Sequence, residues 1–302
     1  MWNDSYRNIE IKNRDSKPED LGGGVVVFKN AIDTDWNLLR ALSEDLIQAE
    51  WSEMYKDAID PETGKQVYEN KSGYLFARDM INNMPKRAAS VHMYEDKTIN
   101  NIFNDIEKAR DYFLLKYLEI FPLAYKCIWW KVKGHLLKYE PGVYLGSHSD
   151  ISADYVYGNQ EPIDQLALRN VVTTLIYFSN YEENYSGKEG GFSGGEHYFN
   201  YLDIEYKPRQ GDIMFFPSNY MAAHEVREVT KGNRYTYLGW YSQGTPNSNV
   251  REYVADPIKD KEIAQHATNV YMPTLAADFK NYLIENGHSQ FSDKYRVVSN
   301  SH

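Results

Sequence analysis

The sequence predicts a mainly β protein with flanking helices, in the α+β class, whose core is a barrel or a sandwich. Between residues 125 and 245, short runs rich in β-branched and aromatic residues are separated by Gly, Asn, Ser and Pro, as in barrels and sandwiches. On both sides of this region, apolar residues recur at helical spacing. A parallel βαβ sheet would instead require strands and helices to alternate.

Residues 1–124 are expected to form a mainly helical support region. The run GGGVVVFKNAI predicts a short strand that ends at a turn. A helix is predicted directly after it, and either Asp33 or Thr34 would cap its first turn. Its expected buried face consists of Trp36, Leu39, Leu42 and Leu46.

The rest of this region is predicted to contain a loop and a long helix. Residues 60–71 are rich in charged residues and turn formers, which indicates a projecting loop. Residues 96–121 carry an apolar helical face, and Pro122 would end that helix. The face consists of Ile99, Ile102, Phe103, Ile106, Ala109, Phe113 and Tyr117.

We predict a single domain over residues 1–302, with a β core at 125–245 and a helical C-terminal extension at 246–302. The strands of the core are expected within 127–139, 170–178, 195–202, 211–217, 222–229 and 234–242.

Composition narrows the possible functions. The formal net charge is −10 over 302 residues, so a general basic surface for nucleic acid is missing and no such partner is expected. The single cysteine, Cys127, excludes an intrachain disulfide and favours a reducing, cytoplasmic setting. The polar N-terminus resembles no secretory signal, and no apolar run reaches membrane-spanning length, so membrane association is not expected.

Four polar residues in the predicted β core suggest a metal site with a cationic neighbour. His148 and Asp150 are separated by one residue, so on an extended chain their side chains lie on the same side. Together with His224 from a later strand, they supply the two imidazoles and one carboxylate that take one face of an octahedral Fe(II). Arg234 follows His224 and offers a fixed cation for an acidic co-substrate.

At these residues the chain resembles the iron(II) and 2-oxoglutarate-dependent dioxygenases, in particular their prolyl 4-hydroxylase-like branch. The resemblance covers roughly residues 129–242 and follows the family's order of motifs. The matching motifs are KYEPGVYLGSHSD, VVTTLIYFSN, GGFSGGEHYFN, KPRQGDIMFFPS and HEVREVTKGNRYTYLGW.

The resemblance implies a double-stranded β-helix, a jelly-roll or cupin-like core with iron at its open end. It assigns the catalytic metal-ligand roles to His148, Asp150 and His224, and the far carboxylate of 2-oxoglutarate to Arg234. The implied reaction uses Fe(II), 2-oxoglutarate and O2, with ascorbate as a further candidate cofactor, to hydroxylate an unactivated C–H bond with release of succinate and CO2. Collagen-type members often have lysine at the Arg234 position, so Arg234 argues against assuming a collagen-type substrate.

Secondary candidates surround this site. Tyr139 is expected either to hydrogen-bond the co-substrate or to pack in the sheet. Thr174 is a candidate for the far carboxylate, although Thr173 and Thr174 face opposite sides of their strand and the register is open. His135 and His197 are expected to be structural or exposed to solvent.

Substrate contacts are expected from the loop after Asp150 and from the last strand of the core. The candidates are Tyr155, Tyr157, Arg169 and Trp240; structural roles for the loop tyrosines and for Trp240 are the alternative. The substrate is either peptidyl, such as peptidyl proline, or a free amino acid or other small molecule. The helical regions would narrow the cleft or support a homodimer.

The sequence leaves several alternative functions open. A halogenase shares the fold but lacks the carboxylate ligand, so Asp150 favours hydroxylation, whereas desaturation leaves no trace in the sequence. A non-catalytic binding module would keep the metal ligands without turnover. A Zn(II) hydrolase on a cupin-like barrel would need no arginine at Arg234 and no O2.

Overall fold

The computed structural model describes residues 9–12, 17–71, 73–89, 97–128, 130–151, 170–243 and 271–272. Its α-helices are Trp36–Met54 (α1), Arg78–Asn82 (α2) and Lys97–Ile120 (α3). Its first ten strands are Glu10–Ile11 (β1), Glu19–Gly22 (β2), Val25–Phe28 (β3), Ile32–Asp33 (β4), Tyr55–Ile59 (β5), Gln66–Asn70 (β6), Leu75–Ala77 (β7), Lys86–Ala89 (β8), Trp130–Tyr139 (β9) and Leu145–His148 (β10). The remaining strands are Asn170–Tyr177 (β11), Asn180–Tyr181 (β12), Gly191–Gly194 (β13), His197–Phe199 (β14), Ile204–Tyr206 (β15), Ile213–Pro217 (β16), His224–Val226 (β17), Val229–Gly232 (β18), Arg234–Ser242 (β19) and Tyr271–Met272 (β20).

Two antiparallel sheets build the core. The main sheet has the order β2-β3-β16-β11-β19-β9-β20, with β8 also on β9, and the smaller sheet has the order β10-β17-β14-β15. Along the chain, β9, β11, β16 and β19 of the main sheet alternate with β10, β14 and β17 of the smaller one. This alternation between two sheets is the winding of a double-stranded β-helix, so the predicted fold class is confirmed.

The main sheet is covered on both faces. On its inner face, Val25, Leu175 and Met214 pack with Phe199 and Tyr206 of the smaller sheet. On its outer face, alternate residues of the same strands pack against α1 and α3. The outer core includes Val26, Phe28, Leu39, Leu42, Ile102, Ile106, Phe113, Ile176, Phe215 and Tyr237. The helices therefore support the outside of the sheet and leave its inner face to the site.

The N-terminal region differs from expectation in three details. The cap of α1 is Asp35, whose side chain accepts a hydrogen bond from the Leu38 amide, whereas Asp33 accepts one from Trp36 Nε1. Residues 60–71 do not form one loop, because β6 pairs with β5 around a turn that begins at Asp60. Strands β2, β3 and β8 of this region also join the main sheet.

Long elements agree with the sequence. Helix α3 ends just before Pro122, as predicted. Of the predicted helical tail, Tyr271–Met272 is a strand on β9, and the rest lies outside the described residues. None of the described helices has the length and apolar character needed to cross a bilayer. The organisation as one domain stays a prediction.

Candidate active site

Strands β10 and β17 bring the predicted metal ligands together. His148 lies opposite His224 in the register of this pair, and their ring centroids are 4.4 Å apart. Asp150 follows β10 and places a carboxylate oxygen 3.5 Å from His148 Nε2. One ligand atom from each residue lies within 4.8 Å of the others. Metal–ligand bonds of roughly 2 Å place two ligands of one ion at most about 4 Å apart, so small side-chain movements would bring the three atoms onto one ion.

Backbone carbonyls orient both imidazoles. Nδ1 of His148 lies 2.8 Å from the Gly146 carbonyl oxygen, and Nδ1 of His224 lies 3.0 Å from that of Ala222. A carbonyl oxygen only accepts, so each Nδ1 carries the proton and each Nε2 carries the lone pair. This is the tautomer in which an imidazole binds a metal through Nε2, with its other nitrogen held by the protein.

Asp150 is buried and held by Thr173, whose hydroxyl donates to its Oδ2. Burial alone would raise the pKa of Asp150, but the neighbouring His148 and His224 side chains and the Thr173 hydroxyl together hold it below the usual value. Burial lowers the pKa of His224 to about 4. At neutral pH the site therefore holds an ionised carboxylate and a neutral His224, which are the forms that bind a metal.

Arg234 begins β19 and is only 1% exposed. Its guanidinium carbon lies 4.8 Å from the ring centroid of Tyr139 and 5.5 Å from that of Tyr177. Burial raises the pKa of both tyrosines, and the nearby guanidinium opposes that rise. Its Nε and Nη2 have no hydrogen-bond partner among the described residues, and no described carboxylate forms an ion pair with it. A buried guanidinium with spare donors fits the carboxylate of a ligand.

Thr236 is a residue that the sequence interpretation missed. It follows Arg234 by two positions, so both side chains lie on the inner face of β19. Its buried hydroxyl has no partner within the described part of the chain. The sequence could have identified Thr236, because it follows the arginine by two positions and side chains two residues apart on a strand share a face.

The position of Thr174 corrects the expectation for the far carboxylate. Thr174 alternates with Thr173 and shares the outer face with Val172 and Ile176, which pack in the outer core. Thr173 instead lies on the inner face and bonds Asp150. The structure therefore places Thr173 at the site and Thr174 on the opposite side of the sheet.

The two other core histidines also lie inside the barrel, so of the two alternatives expected for them, structural or exposed to solvent, exposure does not apply. His197 is 1% exposed and stacks on His224 at 4.7 Å between ring centroids. His135 is buried beside Trp240, at 5.0 Å between ring centroids. Burial lowers the pKa of His135 to about 3 and lowers that of His197 well below its usual value, so both rings are neutral.

Trp240 lies opposite Thr173 in the register of β11 and β19, on the inner face. Its indole nitrogen has no hydrogen-bond partner among the described residues. The other predicted substrate contacts, Tyr155, Tyr157 and Arg169, lie outside those residues.

Residues 134–242 match the family model described as the 2OG-Fe(II) oxygenase superfamily. This range contains both strands that carry the histidine pair as well as Arg234. No curated protein matches the chain.

The chain is also similar to solved structures. One is the viral collagen prolyl hydroxylase vCPH from Paramecium Bursaria Chlorella virus-1 with 2OG, at 20% identity over 55% of this chain and 82% of that one, with a TM-score of 0.38. A second is a prolyl hydroxylase from Trichoplax adhaerens with a hypoxia inducible factor peptide fragment, at 14% identity over 73% and 84% of the two chains, with a TM-score of 0.43. A third is a Pseudomonas putida prolyl-4-hydroxylase, at 14% identity over 70% and 89%, with a TM-score of 0.37.

The superfamily implies Fe(II), 2-oxoglutarate and O2, and the side chains present fit them. Two imidazoles and an ionised carboxylate form a donor set for Fe(II). The spare donors of Arg234 and the hydroxyl of Thr236 fit the oxygen atoms of a dicarboxylic acid.

Proposed function

We propose that this chain, whose residues 134–242 match the 2OG-Fe(II) oxygenase model, is a hydroxylase that oxidises an unactivated C–H bond and releases succinate and CO2. The observation that carries the proposal is the combination of a two-histidine, one-carboxylate cluster with a buried arginine that pairs with no described carboxylate. The cluster suits iron, and the arginine suits a dicarboxylic co-substrate.

In this proposal His148, Asp150 and His224 hold Fe(II), which supplies the chemistry that activates O2 against a C–H bond when 2-oxoglutarate is bound. Thr173 keeps one oxygen of Asp150 engaged and so fixes the direction of the other. Carbonyl contacts at both Nδ1 atoms keep the imidazoles in the binding tautomer.

The far carboxylate of the co-substrate would be bound by Arg234 and Thr236. Tyr139 and Tyr177 pack against the guanidinium through their rings and hold it in place. Their rings also exclude water from this end of the barrel, and a dry environment strengthens the pairing of guanidinium with carboxylate. Tyr139 stays our candidate for a contact with the co-substrate, and Thr236 takes the place of Thr174 at the far carboxylate.

The substrate is a peptide, such as one that contains proline, or a free amino acid or other small molecule. The net charge of −10 favours a neutral or basic substrate. Trp240 and His135 lie on the inner face of the main sheet and are our candidate substrate contacts within the described residues. A cytoplasmic location and a homodimer stay predictions.

Two other functions are less well supported. A halogenase needs an open iron position in place of the carboxylate, and Asp150 fills that position. A non-catalytic binding module would bind metal and 2-oxoglutarate without turnover, and only an assay separates it from an enzyme.

The test is succinate formation by the full chain with Fe(II), 2-oxoglutarate and O2, run with proline-containing peptides and with free amino acids. We expect succinate and O2 uptake in equal amounts, stimulated by one substrate class, and neither with Asp150→Ala. Binding of Fe(II) and 2-oxoglutarate without succinate across the panel would instead favour the binding module. Turnover without O2 would favour a hydrolase.

A further inference from the structure

His197 is a buried polar side chain for which the proposed mechanism has no use. It is 1% exposed, and neither ring nitrogen has a hydrogen-bond partner in the part of the chain that the structure describes. A neutral imidazole has one N–H donor and one acceptor nitrogen. Buried polar atoms in folded proteins are almost always hydrogen-bonded, so a side chain with both nitrogens unsatisfied calls for a partner.

The immediate neighbours of the His197 ring do not supply that partner. The ring stacks on His224 with an interplanar angle of 17° and contacts Phe199 at 4.8 Å and Phe216 at 5.5 Å between ring centroids. Both phenylalanine rings are apolar, and Nδ1 of His224 is engaged with the Ala222 carbonyl. A ligand in the barrel is therefore the natural partner.

The course of the chain places His197 between the two ends of the site. Gly195 lies two residues before it, and a Cβ there would be 3.2 Å from Cδ of Arg234. Phe199 lies two residues after it and pairs with His224 in the register of β14 and β17. The segment thus passes from the arginine to the metal ligands, along the path that an extended dicarboxylate would take.

We propose that His197 donates a hydrogen bond to bound 2-oxoglutarate at its 2-oxo acid half, which is the half that faces iron. This inference rests on the proposed function. The 2-oxo acid half is favoured because the His197 ring packs on His224, whereas the far carboxylate belongs at Arg234. Carboxylate and keto oxygens accept hydrogen bonds, so the N–H of a neutral imidazole is the matching group. His197 acts here as a binding residue.

The first test compares three forms of the full chain by calorimetry, without O2 and with Mn(II) in place of Fe(II). His197→Leu removes both nitrogens at similar volume, and we expect its affinity for 2-oxoglutarate to fall roughly ten- to a hundredfold. His197→Gln keeps a donor and should bind within a fewfold of wild type. Affinity for Mn(II) alone should stay unchanged in both variants, since His197 is not a ligand.

Phe199→Leu is the matched control, because Phe199 lies on the same face of β14 and also contacts His224, at 5.8 Å, but has no polar atom. Its affinity for 2-oxoglutarate should stay within a fewfold of wild type. An equal loss in Phe199→Leu and His197→Leu would mean that His197 acts by packing, and would overturn the proposal.

The visible charge-transfer band of the anaerobic Fe(II)–2-oxoglutarate complex distinguishes hydrogen bonds at the chelating half of the co-substrate from contacts at its far carboxylate. His197→Gln should shift this band, because the hydrogen bond at the chelating half changes, and this readout stands even if His197→Leu does not fold. Thr236→Val should weaken binding without shifting the band. The proposal would be overturned if the band of His197→Gln were unshifted and folded His197→Leu bound 2-oxoglutarate as tightly as wild type. If His197→Leu does not fold, an unshifted band in His197→Gln overturns it. Failure of the wild type itself to bind 2-oxoglutarate with metal would instead overturn the proposed function.

Discussion

Two buried arginines lie on opposite faces of β19, and their surroundings differ in one respect. Arg110 of α3 is 0% exposed on the outer face, where its guanidinium would collide with a Cβ at Gly239. It pairs with Glu107 at 2.9 Å and lies over the ring of Tyr241. Arg234 is 1% exposed on the inner face and has aromatic neighbours but no described carboxylate. A carboxylate of the protein thus neutralises Arg110 on the outer face, whereas no described carboxylate neutralises Arg234 on the inner face.

This difference distinguishes a structural charge from a binding charge. Burial alone would lower the pKa of Arg110, but Glu107 and neighbouring phenolic groups raise it, so the outer charge is fixed by its own partners. A buried charge without a counter-ion is costly, and a protein keeps it where a ligand supplies the opposite charge. The two arginines should therefore respond differently to substitution.

The largest effect is expected on the outer face. Arg110→Leu should destabilise the protein by about 3–5 kcal/mol, because it leaves the buried carboxylate of Glu107 without its guanidinium. Urea unfolding of the metal-free chain measures this loss, and the double variant Arg110→Leu/Glu107→Leu should recover part of it. A loss below about 1 kcal/mol would show that the outer pair is not needed by the fold.

Arg234→Leu should behave in the opposite way. It removes a charge without orphaning a described carboxylate, so the unfolding free energy of the metal-free chain should change by less than about 1 kcal/mol or rise. Binding of 2-oxoglutarate should weaken by about 2–5 kcal/mol, as for one half of a buried charge pair. Calorimetry with Mn(II) measures the second effect. Destabilisation as large as that of Arg110→Leu would show that Arg234 is a structural charge like Arg110.

Thr173→Val should lower the affinity for Fe(II) by roughly 10- to 100-fold, since Thr173 holds the ligand Asp150. Anaerobic metal titration provides the measurement. Because the variant leaves Arg234 and Thr236 in place, 2-oxoglutarate should bind normally once enough metal is present. Unchanged metal affinity would exclude Thr173 as a support of Asp150.

The smallest effect is expected from Thr236→Val, which should weaken 2-oxoglutarate binding by roughly tenfold through the loss of one hydrogen bond to a charged group. Thr174→Val is the matched control, because Thr174 has the same side chain on the outer face of the same sheet. Its co-substrate affinity should equal that of wild type. Equal losses of 2-oxoglutarate affinity in both variants would contradict the assignment of Thr236 to the inner face and Thr174 to the outer face.

The sequence predicted those features that depend on patterns within a single helix or strand. Periodicity located α3 and the core strands, and the spacing of His148 and Asp150 predicted their shared side because alternation holds along any strand. Arg234 stood out by its type and its position after His224.

Features that depend on partner strands were beyond the sequence. Whether Thr173 or Thr174 faces the site follows from how β11 pairs with β16 and β19, and a shift by one residue would exchange them. His197 became notable only when the structure showed that both of its nitrogens lack hydrogen-bond partners among the described residues. The pairing of β5 with β6 likewise prevailed over the polar composition that had suggested a loop.

The central claim is that the inner face binds iron and a dicarboxylate at two adjoining positions. The most direct test is a crystal structure of the full chain grown without O2, with Fe(II) and 2-oxoglutarate, with iron located by anomalous scattering. We expect iron between His148, Asp150 and His224, and the far carboxylate of 2-oxoglutarate on Arg234. Iron bound by other residues, or an Arg234 that does not touch the co-substrate, would contradict the account.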